Sequence, residues 1–189
     1  MKAGEARSIY SAQISALQEQ RSTLLARKKE LEKKSSSIPN GKELFAEEAA
    51  TLQLSLERIT KKYDESRDYM ERIMQAYTAG FNAEVTRQQS EAMEEYAEDL
   101  AKIVEVARRI ADGAIVPPKD EQKLMEYSME MYMAAKNMAA LNELKEKEEY
   151  ESLWEEEKEP GEYDPEAAGN NMEVSGEAPE IIDTETGVE

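Results

Sequence analysis

Tyr10, Leu17, Leu24 and Leu31 recur every seven residues. That is the period of a helix packed along a narrow seam. The companion seam positions read as Arg7, Ile14, Arg21 and Lys28, of which only Ile14 is apolar. A first helix over about 5–34 therefore has a leucine ridge edged by long basic stems, whose heads can stay in water. Ser35-Ser36-Ser37-Ile38-Pro39-Asn40-Gly41 ends it. The serines compete for backbone hydrogen bonds, proline cannot extend the helix, and Asn-Gly favours a turn.

The next segment carries the clearest pattern. Phe45, Ala49, Leu52, Leu56, Ile59, Tyr63, Ser66, Met70, Ile73 and Tyr77 alternate spacings of four and three, and nine of these ten are apolar or aromatic. This predicts a long helix in coiled-coil contact. The register is lost near Gly80 and Asn82, and a new phase follows through Met93, Tyr96, Leu100, Ile103, Ala107 and Ile110. Either a turn divides the helix near 80, or the helix continues and its seam rotates toward another partner. No proline lies there, so one continuous or mildly kinked helix over 42–111 is the expectation. Asp112-Gly113-Ala114-Ile115-Val116-Pro117-Pro118 is a firm stop. Ile115 and Val116 should tuck against the end of the bundle.

A last helix is predicted over 119–156. Leu124, Tyr127, Met131, Ala134, Met138 and Leu141 form its stripe, widened by Met125, Met129 and Met133. Asp120 and Glu121 in its first turn complement the helix dipole. Tyr150, Leu153 and Trp154 share a face near its end. From 159 onward Pro, Gly, Asn, Glu and Ser prevail without periodicity, which predicts disorder over 159–189.

The expected fold is all-α. It is an elongated antiparallel coiled-coil or helical-hairpin assembly of three to four long helices, with a compact four-helix bundle as the alternative. One helical domain should span 1–158, followed by a disordered acidic tail over 159–189.

Charge sharpens that division. Of the net −18, residues 143–189 carry 18 acidic against 3 basic side chains, whereas the first 34 residues have 8 basic and 4 acidic. Such a balance repels phosphates and anionic membranes. It points to a basic or amphipathic protein partner, with no nucleic acid and no membrane insertion. A homodimer through the Phe45–Tyr77 seam is a further expectation. No apolar run reaches the roughly 18 residues needed to span a bilayer. The opening MKAGEARSIYSAQ lacks the apolar core of a signal peptide. The expected location is cytoplasmic.

The chain has no Cys and no His, so the usual thiolate, imidazole and transition-metal chemistries have no residues to carry them. Phosphate-binding glycine loops and nucleophile elbows are absent from the sequence. Glu91, Glu94, Glu95 and Glu98 read as a solvated face. No cofactor or metal and no enzyme activity are expected.

Three groups stand out as candidate partner-binding residues. The methionines Met125, Met129 and Met133 would form either a plastic groove for amphipathic helices or ordinary core. Tyr150, Leu153 and Trp154 would form an exposed anchor, or a plug for the open end of the hairpin. Ile181 and Ile182 make a small apolar island in acid, either a short linear motif or an incidental pair. The chain reads as a non-enzymatic helical interaction protein: an adaptor, scaffold or assembly factor. The alternative is an acidic chaperone-type module that holds an amphipathic client on its methionine face.

Overall fold

A computed structural model describes residues 1–141, 148–154 and 161–181. Among them, all regular structure is helical apart from two isolated bridges: α1 (Ala3–Ser37), α2 (Gly41–Leu44), α3 (Ala46–Ala111), α4 (Pro118–Tyr127), α5 (Met129–Leu141) and α6 (Pro165–Asn171). The all-α class is as expected. The helix through Gly80 is continuous. The chain divides into two compact units: Met1–Val85 with the chain from Asp164 on, and Thr86–Tyr163. This differs from a single domain over 1–158, because part of the acidic segment belongs with the first helices.

In the first unit, α1 and the early part of α3 meet along a seam. Leu24 and Leu31 cluster with Leu52 and Leu56, edged by Phe45 and Ile59. Burying each leucine contributes about 1.5–3 kcal/mol. Pairing partners fall in number along α3 as they rise along α1. Tyr10 meets Tyr69 edge-on at 4.7 Å, Gln13 Nε2 donates to Ser66 Oγ at 3.2 Å, and Lys28 Nζ donates to Gln53 at 2.8 Å. The link between the helices turns at Asn40, whose φ of 59° is one that Asn tolerates. Gly41 follows, and a Cβ there would lie 2.2 Å from the Ser35 carbonyl oxygen.

The companion positions on α1 differ from expectation. Ala6 and Gln13 are buried beside Tyr10 and Leu17, while Arg7 is exposed and Ile14 only half-buried. The seam accepts Gln13 because Ser66, the one polar position of the α3 run, lies opposite it. A matched polar layer of this kind fixes register. Arg7 and Arg21 lie over the rings of Tyr77 and Tyr63, at 5.1 and 5.9 Å.

Disorder beyond 159 does not hold over 161–181. Asp164 caps α6, accepting from the Ala167 N–H at 2.9 Å, and Pro165 fits the first helical position. The helix then seats against α1 and α3 at glycines. A Cβ on Gly80 would fall 2.9 Å from the Ala168 carbonyl oxygen and 3.1 Å from the Gly169 Cα. A Cβ on Gly169 would fall 2.8 Å from the Tyr77 carbonyl oxygen. Past α6, the Ala3 N–H donates to the Met172 carbonyl at 2.8 Å, and the Val174 N–H to the Met1 carbonyl at 3.2 Å. Val174 joins a core of Ala3, Ala6, Tyr10, Tyr69 and Ile73. The Tyr10 hydroxyl donates to the Pro179 carbonyl at 2.6 Å. Acidic composition therefore concealed a helix cap, a glycine contact and a run of backbone acceptors.

In the second unit, Ile103, Val106, Ile110, Val116, Leu124, Ala135 and Trp154 form the core. Val116 tucks in as expected, but Ile115 is half exposed. The continuous last helix expected over 119–156 is broken. Ser128 is extended between α4 and α5, and its Oγ accepts from the Met131 N–H at 3.2 Å. The serine hydroxyl thus supplies an N-terminal acceptor that starts a new helix. Residues 148–154 are not helical either. The Ile115 N–H donates to the Glu148 carbonyl at 2.8 Å, and the Tyr150 N–H donates back to the Ile115 carbonyl at 3.2 Å. No helix among the described residues is long and apolar enough to cross a membrane.

Candidate interaction surfaces

Trp154 is almost fully buried, so the plug is the role its geometry matches, not the exposed anchor. Its indole N–H donates to Asp99 Oδ1 at 3.0 Å, and its carbonyl accepts from Lys119 Nζ at 2.9 Å. Lys102 and Lys123 stand over the ring at 5.5 and 5.4 Å, where a cation is drawn to the π face. Asp120, expected only to complement a dipole, is fully buried and holds this segment in place. Its carboxylate accepts from the Ser152 hydroxyl at 2.6 Å and from the Leu153 N–H at 3.0 Å. Leu153 packs half-buried on the core. Tyr150 lies 4.2 Å from the Arg109 guanidinium, and its hydroxyl donates to the Glu148 carboxylate. That bond raises the Tyr150 pKa, since ionisation would remove the donated proton. All three aromatic-end residues are thus engaged within the unit.

The methionines separate. Met125 is half-buried, whereas Met129 and Met133 are each more than half exposed. Met138 and Leu141 on the same helix are exposed too, Leu141 at 87%. Only Glu130 and Lys136 carry charge on α5, leaving it broadly apolar toward solvent. Core packing takes Ala135, with Met131 and Tyr132 beside it. Ile181 is half exposed, and Ile182 lies outside the described residues.

One surface was not singled out from sequence. Met93, Tyr96 and Leu100 begin the second phase of the α3 pattern and so read as seam. Ile103, Val106 and Ile110 are buried, but Met93 is 74% and Tyr96 64% exposed, and Val104 is exposed beside them. Three- and four-residue spacing puts Met93, Tyr96, Leu100 and Val104 on one helical face. The same helix therefore has a covered face at its end and a bare apolar face just before it. The signal was present: the spacing is regular, but the stretch holds few residues large enough to close a core.

Glu105 anchors the charged side of this region. Hydrogen bonds from Arg108 and Arg109, at 2.8 and 2.9 Å, lower its pKa to about 2.

No family model matches the chain, and no curated protein or solved structure matches it.

Proposed function

We propose that the chain is a non-enzymatic helical interaction protein, an adaptor, scaffold or assembly factor, built on an antiparallel coiled-coil hairpin of α1 and α3. The observation that carries this reading is the exposed apolar face of α3 at Met93, Tyr96 and Val104, next to the buried Ile103, Val106 and Ile110 of the same helix. Isolated apolar residues on a surface are ordinary; an exposed stripe at helical spacing supports an interaction surface.

A chaperone-type module is the second reading. The exposure of Met129, Met133, Met138 and Leu141 on α5 favours it, because unbranched, polarisable methionines adapt to varied clients.

Site-specific photocrosslinking in cells that make the protein tests both. A photoreactive residue would replace Met93 or Met133, with Lys29 on α1 as an exposed control. Discrete protein adducts from 93 support the adaptor. A broad distribution of adducts from 133 supports the chaperone. Adducts no stronger than those from 29 at either position sink both.

A further inference from the structure

The bare face of α3 also carries information about what covers it. Between Arg87 and Val104 there are five carboxylates, Glu91, Glu94, Glu95, Glu98 and Asp99, against two cations: Arg87 pairs with Glu91 at 2.9 Å, and Lys102 lies 3.7 Å from Asp99, which also accepts from the Trp154 indole. At 100° per residue, Glu94 and Asp99 fall on either side of the Met93–Tyr96–Leu100–Val104 stripe, and the other three fall behind it. The rear is engaged within the unit: the Arg87 guanidinium lies 4.7 Å over the Tyr163 ring, and Tyr163 donates to Glu91 at 2.5 Å. Along the stripe the neighbours are small. Ala92, Ala97 and Ala101 are exposed, so an incoming helix can approach closely without displacing bulky side chains.

We infer that this face seats a cationic amphipathic helix of a partner protein, apolar at three- and four-residue spacing and edged by Lys or Arg. The inference rests on the reading of the chain as a helical interaction protein and names the chemistry of its partner. The stripe from Gln89 to Val104 covers about 16 residues, a helix of roughly 24 Å. A second copy of the chain would bring the same acidic surplus against itself, and like charges oppose pairing. All the acidic side chains lie on or around one helix about 10 Å across, comparable with the screening length of physiological salt, so even those behind the stripe add to the field at its front. Apolar contact supplies the seat, and the carboxylates select the sign of the partner.

The test uses three labelled helical peptides of about 16 residues. One is Leu/Lys with leucine at three- and four-residue spacing. The second has the same composition with the leucines scattered, and the third is Leu/Glu with the first pattern. Fluorescence anisotropy measures their binding to the full chain and to two double variants, M93S/Y96S and M129S/M133S. Circular dichroism checks that each variant keeps its helix. The expected result is binding of the patterned Leu/Lys peptide roughly tenfold tighter than the scattered one, and none of Leu/Glu. M93S/Y96S should lose about tenfold, while M129S/M133S should change by less than about twofold. Equal binding of patterned and scattered peptides would overturn the proposal, since charge alone would explain it. Greater loss in M129S/M133S would overturn it in favour of α5. A concentration-dependent mass in sedimentation, abolished by M93S/Y96S, would make the occupant a second copy. If no peptide binds but photocrosslinks from position 93 persist, the partner chemistry is wrong and the helical-interaction reading stands. If both fail, both fall.

Discussion

The two units meet their packing needs in opposite ways. In the first, a two-helix seam runs from Ala3 to Leu31 on α1, and a later segment of the chain closes its end with α6 and Val174. In the second, Trp154 completes a core of Ile103, Val106, Ile110, Val116, Leu124 and Ala135, and much of the apolar surface of α3 and α5 faces solvent. A seam spreads its stabilisation over many modest layers, each with a matching layer opposite. A plug concentrates it in one ring and the polar groups that hold that ring. The difference implies that the first unit is specified chiefly by register, and the second by a single anchored segment.

Trp154→Ala is the largest test of that contrast. Removing a buried tryptophan costs about 3–5 kcal/mol. Amide exchange should rise sharply over 99–135, while the slow amides of α1 stay slow. Equal loss in both units would end the distinction. Next comes Gly80→Val. The added branches meet the backbone of α6, where even a Cβ would be 2.9 Å from the Ala168 oxygen. A destabilisation of about 1–3 kcal/mol is expected. Proteolysis should then cut within 165–174 before it cuts α1, and continued protection there would show that the glycine contact is not what holds α6.

Tyr10→Phe sharpens the picture of the seam's closed end. It deletes the hydrogen bond to Pro179, at a cost of about 0.5–1.5 kcal/mol. It also removes an alkaline transition. Burial first, and the neighbouring Tyr69 second, raise the Tyr10 pKa above 10.0. The stability linked to it is therefore present below that value and lost as pH rises through the folded value. Base titration of the wild type followed by circular dichroism should show a step that the variant lacks. Glu105→Gln gives the smallest effect, in the second unit and at the other end of the pH scale. The Glu105 pKa is depressed from 4.5 to about 2. Its contribution holds above 4.5 and disappears as pH falls through about 2, so the variant should show a shallower acid loss of Trp154 fluorescence. An unchanged acid limb would mean that solvent screens these pairs fully.

How legible each unit was follows from the same contrast. The α3 seam was readable because four-three spacing persists from Phe45 to Tyr77, and Ser66 already marked the polar layer. Its partner on α1 was half readable: Tyr10, Leu17, Leu24 and Leu31 stood out, but Ala6 and Gln13 were obscured by the more conspicuous Ile14 and Arg7. The break at Ser128 was hidden because Met, Ala and Leu continue the apolar pattern straight through it. Periodicity reports which face is apolar and says little about one hydroxyl turning back on the chain. Gly80 looked like a weakness in a helix and is a docking point. That meaning comes from residues 168–172, far away in sequence, which local pattern does not reach. The candidate surface was legible as a list of residues and not as a state of exposure. Met129 and Met133 face solvent, but Trp154, the most conspicuous side chain, is consumed internally.

The backbone bonds from Ala3 to Met172 and from Val174 to Met1 join residues about 170 positions apart. Everything in the second unit lies between them in sequence, like a clause set inside a sentence. Such a contact has a long loop to close, and loop closure and long sequence separation slow assembly. The second unit has all of its residues by Tyr163, whereas the first waits for Val174. During synthesis the unit begun first would thus be the unit finished last, and α1 and α3 must hold their register through the interval on the Gln13–Ser66 layer and the leucines of the seam.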